Sequence, residues 1–396
     1  MSGATQGRRF FIVGGAGFIG SHFCDRLLGV AAGASGVTLY DNFSGGRAWH
    51  YAHHEGDARL SVVRGDVEDT AALAAAMDGH DVVIHLASNP DIARAAREPT
   101  IDFAQGTALT SSVVEAMRTT SAKRILYASG SGVYGELGTM EAHEDQGPLV
   151  PISTYGASKL AGEALIASYA FMFGLSGCVF RFGNVVGPRQ THGVGFDFAR
   201  RLLAASASGE DPIRLRILGD GTQSKSYVHV EDVVESVLTA HARTEAPFAA
   251  YNVATGDYIT VREIADLAVE CVGLPPARVQ FEFAGGDRGW KGDVPVVRLD
   301  TRRIRALGWQ CRRQPPRRLA GPSLQLPQHT AGDRRDPPRF DALRPERRSA
   351  DHLDHRPLFF RREESRHIGA ICPWLQQYVR GGVWLRSGGA VRTDAE

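Results

Sequence analysis

The stretch Gly14-Gly15-Ala16-Gly17-Phe18-Ile19-Gly20 decides the fold of this chain. It follows a short apolar run and opens a helical pattern. Glycines at this spacing permit a tight turn, a close approach of backbone to pyrophosphate and close packing of helix on strand. The helix N-terminus then offers free N–H groups to phosphate. The stretch predicts a dinucleotide-binding turn, with the cofactor-binding residues Gly14, Gly17, Phe18, Ile19 and Gly20.

Carboxylates at the ends of the next two predicted strands favour one nicotinamide cofactor. Asp41 can accept both adenosine ribose hydroxyls and would repel a 2′-phosphate, so we expect NAD rather than NADP. Asn42 follows it directly. Asp66 and Val67 end the third strand, where Asp66 either meets the adenine edge or caps the following helix. All four residues are predicted to lie at the cofactor.

Apolar, β-branched runs alternate with amphipathic stretches through the first half of the chain. The pattern predicts an α/β protein with a Rossmann-type, doubly wound parallel sheet. We expect an NAD-binding domain over residues 8–182 and a smaller α/β substrate domain over 183–310, with some chain crossing between them. The predicted strands are Phe10–Val13, Val37–Tyr40, Leu60–Arg64, Val82–Leu86, Arg124–Ala128 and Cys178–Phe182. The predicted helices are Phe18–Val30, Thr70–Met77, Ile101–Arg118, Tyr155–Phe173, Phe196–Ser208, Val230–Arg243 and Val261–Val272.

Charge is distributed unevenly along the 396 residues, although the whole chain carries only +1. Residues 311–396 hold 17 Arg, no Lys and 10 acidic residues. This Arg/Pro-rich tail is predicted to be disordered, or a non-native extension, rather than a basic arm for nucleic acid or anionic lipid. The rest of the chain is mildly acidic, which argues against a nucleic-acid partner.

The compartment is predicted from the absence of two kinds of pattern. No apolar run reaches the 18 residues or more that a membrane span needs, so we expect no membrane partner. The five cysteines show no C-x-x-C spacing. Such scattered cysteines favour a reducing cytoplasm over a disulfide framework or a zinc site.

Tyr155-Gly156-Ala157-Ser158-Lys159 is the second chemical motif. Its spacing of four residues places the phenol and the ammonium on one face of a predicted helix. A neighbouring ammonium favours phenolate over phenol, so we expect Lys159 to lower the pKa of Tyr155. Alone, this pair is more often structural than catalytic. After a nucleotide-binding turn, it predicts a general base.

Taken together, these motifs resemble the extended short-chain dehydrogenase/reductase family, in its NAD-dependent nucleotide-sugar epimerase/dehydratase branch. The resemblance covers residues 8–310 and includes His85-Leu86-Ala87, which adds Leu86 and Ala87 to the predicted cofactor contacts. Further matching stretches are Val133-Tyr134-Gly135, Arg181-Phe182-Gly183-Asn184-Val185-Val186-Gly187-Pro188, Tyr227-Val228-His229-Val230-Glu231-Asp232 and Leu307-Gly308-Trp309.

The resemblance implies an epimerase of a nucleotide-activated hexose, with a UDP-sugar as the expected substrate. NAD would take a hydride from a sugar carbon while Tyr155 removes the hydroxyl proton, and the keto-sugar would then accept the hydride on its other face. Lys159 would hold the nicotinamide ribose and Asn184 would contact the nucleotide diphosphate. Family members commonly pair two helices across a two-fold axis, so the resemblance also implies a homodimer.

The chain departs from the family pattern at a catalytic position. The family usually carries Ser or Thr four residues before the Tyr of its V-Y-G motif, and here that residue is Gly130. Ser129 or Ser131 must replace the hydroxyl, or the proton relay is missing; we favour Ser131. Sugar 4,6-dehydratases place Asp-Glu next, whereas this chain has Ser131-Gly132.

Two family arginines near the substrate are also replaced. Lys225 stands where an Arg usually precedes the Y-V-H strand, and Trp290-Lys291-Gly292-Asp293 replaces R-x-G-D. Lys225, Arg288 and Lys291 are therefore predicted to bind the diphosphate, less rigidly than a bidentate Arg would.

Alternatives remain open at this stage. A dehydratase, net oxidoreductase or decarboxylase on a similar substrate would use the same motifs, and a non-catalytic NAD-binding module would explain Gly130. His50, His53, His54 and Glu55 form a tempting metal cluster, but we interpret them as a solvated loop and expect no metal.

Overall fold

Seven parallel strands form the central sheet in the computed structural model, which describes residues 2–89 and 92–313. The strands are β1 (Arg9–Val13), β2 (Gly36–Asp41), β3 (Leu60–Arg64), β4 (Val82–His85), β5 (Arg124–Gly130), β6 (Ser176–Phe182) and β7 (Phe248–Val253). Their order across the sheet is β7-β6-β5-β4-β1-β2-β3. The predicted Rossmann-type sheet is confirmed, and its strand order reverses between β1 and β4, where such sheets bind their ligands.

Helices cover both faces of this sheet, which is why its strands are nearly continuous apolar runs. The longer helices are α1 (Phe18–Leu28), α2 (Thr70–Met77), α3 (Leu109–Thr119), α4 (Thr154–Phe173), α5 (Val194–Ala207), α6 (Val230–Arg243) and α7 (Val261–Cys271). Short helical segments occur at Ser2–Thr5, Ala48–His50, Ala52–His54, Ile92–Ala95, Ser131–Tyr134, Pro276–Arg278 and Arg302–Ala306. All seven predicted helices are present, with ends that shift by one or a few residues.

One predicted helix contains an irregular turn. Residues 103–108 form a π-helical turn, Phe103–Ala108, before α3 begins. Turns of this kind occur frequently at functional sites. Periodicity could not predict it, because one inserted residue leaves the apolar spacing on either side intact. The turn lies against α4, since a Cβ on Gly106 would come 2.6 Å from Ser158 Oγ.

The last part of the described chain forms smaller elements beside the sheet. Ile213–Ile217 pairs in parallel with Val279–Phe283, and Asn184–Val186 pairs in parallel with Tyr227–His229. Two-residue pairs join Ser224–Lys225 to Ile259–Thr260 and Glu141–Ala142 to Arg298–Leu299. A separate apolar cluster, which includes Leu202, Ile213, Leu215 and Ile264, holds this region together.

The described chain continues past the domain boundary predicted at residue 310. Asp232, near the start of α6, accepts the backbone N–H groups of Arg312 at 3.1 Å and Arg313 at 2.9 Å. The remainder of the predicted tail, residues 314–396, lies outside the described residues. Within the described ranges, no helix has the length and apolar character required to cross a membrane.

Candidate active site

The glycine turn fits a dinucleotide, because side chains are excluded from it. Gly14 has a φ of +79°, and a Cβ there would lie 2.9 Å from the backbone nitrogen of Ala87. A Cβ on Gly20 would lie 2.6 Å from the carbonyl oxygen of Gly14. Gly17 precedes α1 without a side-chain cap, so the first N–H groups of the helix, at Phe18 and Ile19, are available to a phosphate.

Asp41 lies at the end of β2, beside this turn. Its two carboxylate oxygens accept the backbone N–H groups of Ala16 at 3.0 Å and Phe43 at 2.8 Å. Burial raises the pKa of Asp41, and these two hydrogen bonds oppose the rise. Each oxygen keeps a further lone pair for a ribose hydroxyl. The fixed, buried carboxylate suits NAD and would meet a 2′-phosphate as a like charge.

The next two predicted contacts are joined by a hydrogen bond. Asn42 Nδ2 donates to Asp66 Oδ2 at 3.0 Å, and this bond lowers the pKa of Asp66. Helix α2 is capped by Asp69, which accepts from Ala72 N at 3.0 Å. The alternative of Asp66 as a helix cap therefore falls away, and contact with the adenine edge stays a prediction for Asp66 and the buried Val67 beside it.

Leu86 and Ala87 form the other wall of the glycine turn. Both backbone N–H groups donate to the carbonyl oxygen of Val13, at 2.9 and 3.1 Å. These bonds bring the chain after β4 against the end of β1. The two predicted contacts therefore lie at the reversal point of the strand order.

Tyr155 and Lys159 occupy the first turns of α4, on one face as predicted. Ser153 caps this helix by accepting the N–H of Gly156 at 3.0 Å. Lys159 Nζ lies 5.5 Å from the centroid of the Tyr155 ring and donates to the carbonyl oxygen of Ala128 at 2.8 Å. The Lys159 side chain is buried, and its bond to Ala128 fixes the ammonium at the end of β5.

Burial outweighs the predicted effect of Lys159 on the pKa of Tyr155. It raises the pKa of Tyr155 to about 12, whereas the sequence predicted a lowered value. It also lowers the pKa of Lys159 to about 8, although the nearby carboxylates of Glu163 and Asp102 act in the opposite direction. The expectation was wrong because loss of solvent disfavours both charged forms. Tyr155 is therefore a phenol at neutral pH in the protein by itself.

The three residues at the departure from the family pattern have different surroundings. Ser129 Oγ donates to Glu163 Oε1 at 2.5 Å, so its hydroxyl is engaged away from Tyr155. Ser131 begins the turn Ser131–Tyr134 and lines a small cleft with Val296 and Val297. Gly130 has an extended backbone, and a Cβ there would meet nothing within 4 Å.

A buried ion pair beneath the site was missed by sequence reasoning. The guanidinium of Arg181 in β6 binds the carboxylate of Glu163 in α4 through Nε at 3.0 Å and Nη2 at 2.7 Å. Arg181 Nη1 donates to Tyr134 Oη at 2.9 Å, and Tyr134 Oη donates to Asn252 Oδ1 at 2.8 Å. The network ties α4 to β6, β7 and the Ser131–Tyr134 turn.

A second buried carboxylate joins the loop after β4 to the start of α4. Asp102 accepts from Asn89 Nδ2 at 2.9 Å and from Thr154 Oγ1 at 2.6 Å. Ser88 precedes Asn89 in the loop that this carboxylate holds against the start of α4. Neither Asp102 nor Ser88 was predicted from the sequence. Only Asp102, which directly precedes the π-helical turn, could have been noticed in the sequence.

The four predicted substrate residues lie on three segments of the chain. Lys225 forms an ion pair with Asp293, which brings it to the 288–293 loop that carries the exposed Lys291. Arg288 forms an ion pair with Glu136 at 2.7 Å. Asn184 pairs with Tyr227 in the adjacent strand. The loop meets the start of α4, since a Cβ on Gly292 would lie 3.1 Å from Ser153 Cβ.

The histidine-rich loop is less solvated than predicted. His50 is buried, and its Nδ1 lies 2.7 Å from the carbonyl oxygen of Ala16 in the glycine turn. The Nε2 atoms of His53 and His54 lie 2.7 and 2.8 Å from Asp25 Oδ1. Asp25 also forms an ion pair with Arg189, so a guanidinium occupies its second oxygen. That charge disfavours a cation at this cluster.

Sheet order and site together define a class, the Rossmann-fold enzymes of the extended short-chain dehydrogenase/reductase type. The sequence profile of the NAD dependent epimerase/dehydratase family matches residues 10–254. The chain belongs to this family, whose cofactor is NAD.

Similar proteins with different activities are found at comparable identity. UDP-glucose 4-epimerase from Mycolicibacterium smegmatis is 32% identical over 311 residues, covering 76% of this chain and 93% of its own. A crystal structure of UDP-galactose 4-epimerase shares 34% identity with a TM-score of 0.65, covering 77% and 94%. A dTDP-glucose 4,6-dehydratase from Streptomyces venezuelae, with NAD and TYD bound, shares 27% with a TM-score of 0.70, covering 77% and 92%. These comparisons establish a family of NAD-dependent nucleotide-sugar enzymes without fixing the reaction.

Proposed function

We propose that this protein is an NAD-dependent epimerase of a nucleotide-activated hexose, similar to UDP-glucose 4-epimerase. The observation that carries the proposal is the Tyr155–Lys159 pair on α4, beside a glycine turn that fits NAD. NAD supplies the redox chemistry when bound. The chain itself would bind and orient the sugar and move one proton at the phenolic oxygen of Tyr155.

Each predicted residue takes one task in this proposal. Tyr155 exchanges the proton of the sugar hydroxyl, and Lys159 holds the nicotinamide ribose beside it. Lys225, Lys291 and Arg288 hold the diphosphate, together with the 184–186 strand that carries Asn184. Ser131 is the residue that the sequence favours as the relay hydroxyl.

Absence of one acid–base pair favours an epimerase over a sugar 4,6-dehydratase. That elimination needs an acid and a base beside Tyr155. Ser131 and Gly132 stand at the two positions that carry Asp-Glu in such dehydratases, and neither residue can perform this work. The Ser131–Tyr134 turn packs on the first turn of α4, because a Cβ on Gly156 would lie 2.5 Å from the carbonyl oxygen of Gly132.

Incubation with a panel of UDP-, dTDP- and GDP-sugars, followed by NMR of the products, tests the proposal. We expect inversion at one sugar carbon with no accumulation of reduced cofactor, measured by nicotinamide absorbance. Accumulation of reduced cofactor would indicate a net oxidoreductase. A 6-deoxy keto-sugar would indicate a dehydratase. Release of carbon dioxide would indicate a decarboxylase.

Cofactor selectivity is expected to depend on Asp41. The native protein should bind NAD tightly and NADP weakly, and Asp41→Ser should narrow the difference because the like charge facing the 2′-phosphate is removed. Isothermal titration with both cofactors measures this. Asp57→Ser, which removes a partly buried carboxylate paired with Arg59, is the matched control. Equal affinity of the native protein for the two cofactors would contradict the assignment.

A homodimer is the assembly we propose, formed through α3 and α4. Large apolar side chains are exposed in this region: Phe103, in the turn before α3, is 64% exposed, and Phe171 and Met172 at the end of α4 are 74% and 71% exposed. Burying such side chains in a two-fold contact is favourable. Sedimentation should show a dimer at micromolar concentration, and Phe171→Asp should weaken it. A native protein that sediments only as a monomer would rule it out.

The cytoplasm is the compartment we propose. Cys24, Cys178 and Cys311 are free thiols, and the first two are buried. Burial raises the pKa of Cys24 and Cys311 to about 12, so neither is a reactive thiolate. Unpaired cysteines of this kind are typical of a reducing compartment.

A further inference from the structure

We propose that Arg189 is a positioning residue that holds the strand Asn184–Val186 against the glycine turn and thereby couples the binding of nucleotide sugar to the binding of NAD. The proposal deepens the proposed function, on which it rests. Arg189 lies three residues after the strand, outside the catalytic helix α4, and it acts through the segments that it joins.

The guanidinium of Arg189 has partners on two segments beside the glycine turn. Its Nη1 donates to the carbonyl oxygen of His50, in the loop after β2, at 2.8 Å. Its Nη2 donates to His22 Nδ1 at 3.0 Å and forms an ion pair with Asp25, and both of these residues belong to α1. Only 14% of the Arg189 side chain is exposed, so water competes little for these contacts.

His22 binds the same loop a second time. A guanidinium can only donate hydrogen bonds, so His22 Nδ1 accepts and Nε2 carries the proton. Nε2 donates it to the carbonyl oxygen of Pro188 at 3.0 Å. Burial and the charge of Arg189 lower the pKa of His22 to about 4, so the ring is neutral at physiological pH, as this arrangement requires. Pro188 and Arg189 are therefore both fixed to α1.

His50 extends these contacts into the glycine turn. Its Nδ1 donates to the carbonyl oxygen of Ala16 at 2.7 Å. The N–H of Ala16 donates in turn to Asp41 at 3.0 Å, and Asp41 is the carboxylate proposed to bind the adenosine ribose. A continuous series of printed-length hydrogen bonds and one peptide unit thus joins Arg189 to the proposed cofactor site.

The backbone at Arg189 is strained, and its connection to the strand is short. Its φ of +68° lies in the left-handed region, which a residue other than glycine adopts at a cost in free energy. Only Gly187 and Pro188 separate it from the strand. A Cβ on Gly187 would lie 2.7 Å from Val230 Cγ1 in α6, so this connection is closely packed. The strand therefore has little freedom to move relative to Arg189.

Binding of either ligand restrains one end of this series of contacts. The glycine turn and the N-terminus of α1 are restrained when NAD binds, and the strand that carries Asn184 is restrained when a nucleotide sugar binds. The second ligand then meets a segment that is already held in place, so its binding removes less conformational freedom. The two affinities should therefore depend on each other through Arg189.

The first test measures binding and needs no turnover. Equilibrium dialysis with labelled NAD gives its Kd in the absence and in the presence of saturating UDP, dTDP or GDP. In the native protein, the nucleoside diphosphate that binds should tighten NAD binding by about 5-fold or more, a usual size for coupled sites. In Arg189→Met this factor should fall to about 1, since the connection is lost. A native factor in Arg189→Met, or no coupling in the native protein, would overturn the proposal.

Arg26→Met is the matched control. Arg26 lies on the same helix and forms a partly buried ion pair with Glu235 in α6, so its removal also weakens the attachment of α1 but leaves the contacts of Arg189 in place. This variant should keep the native coupling factor. Urea unfolding compares the stability of the two variants. Loss of coupling in both would assign the effect to a loosened α1 and overturn the proposal.

Arg189→Lys keeps the fold testable if the methionine variant is too unstable to measure. It retains a positive charge beside Asp25, but one ammonium cannot reproduce the planar fork that reaches His22 and His50 together. We expect an unfolding midpoint close to the native one and a coupling factor well below it. A lysine variant with the native coupling factor would overturn the proposal as well.

The sugar panel separates this inference from the proposed function. If no sugar is epimerised while Arg189→Met loses the coupling between nucleoside diphosphate and NAD, the proposed reaction fails and the role of Arg189 stands. If a sugar is epimerised and the coupling is unchanged in Arg189→Met, only the inference about Arg189 fails. If none of the three nucleotides binds, both fail.

Discussion

Tyr155→Phe is expected to reduce kcat by about 100-fold to 10,000-fold, the usual cost of removing a positioned acid–base group. The substitution keeps the ring and its packing and removes only the phenolic oxygen. Affinity for NAD should hardly change, because the glycine turn and Asp41 are the groups that we propose to bind it. Steady-state kinetics on the nucleotide sugar and cofactor titration measure the two effects separately.

Two further variants give this prediction its controls. Lys159→Met should lower both kcat and NAD affinity, because Lys159 is proposed to hold the ribose and also lies 5.5 Å from the Tyr155 ring. Tyr169→Phe removes a phenolic hydroxyl from the same helix. This hydroxyl donates to Glu115, so its loss should leave turnover intact. Full activity in Tyr155→Phe would refute the proposed mechanism, whatever the fold.

Arg181→Met is expected to lower the free energy of unfolding by about 3–5 kcal/mol, the usual cost of breaking a buried ion pair by removing one partner. The substitution leaves the carboxylate of Glu163 buried and takes donors from Tyr134 and the carbonyl oxygen of Glu144. Urea unfolding followed by circular dichroism measures the change as a lower midpoint with an unchanged slope.

The control for this second prediction is a matched pair on the surface. Arg118 and Glu115 form an exposed ion pair of similar geometry, and Arg118→Met should leave the midpoint nearly unchanged. Combining Arg181→Met with Glu163→Leu should recover part of the loss, because the uncompensated charge is removed as well. Equal midpoints for Arg181→Met and the native protein would show that the network does not stabilise the fold.

Local patterns in the sequence predicted six of the seven strands of the sheet, the longer helices and the glycine turn, whereas the seventh strand, β7, was missed. Gly14–Gly20 specifies its turn through backbone freedom, and Asp41 follows at the end of a strand, so neither needs a distant partner to be recognised. The pairing of Tyr155 with Lys159 follows from helical spacing. These features depend on neighbours within one or two elements, and periodicity describes such neighbours well.

Features that depend on distant partners were missed or misjudged. The pKa of Tyr155 was predicted to fall, yet it rises to about 12, because solvent exclusion at the start of α4 is a property of the whole fold. Asp102 joins Asn89 to Thr154 across 65 residues of sequence, as their positions show. Lys225 was assigned to a diphosphate, and nothing in its segment indicated the ion pair with Asp293.

The seventh strand limits how this protein can be divided or recombined. β7 pairs along its whole length with β6, although it lies beyond the first 240 residues of the chain. A fragment ending at residue 182 would expose the edge of β6, and bare edges invite aggregation. A chimera that exchanges the substrate region must therefore keep 248–253 from the parent, since modular exchange at the apparent boundary would remove a strand from the Rossmann sheet.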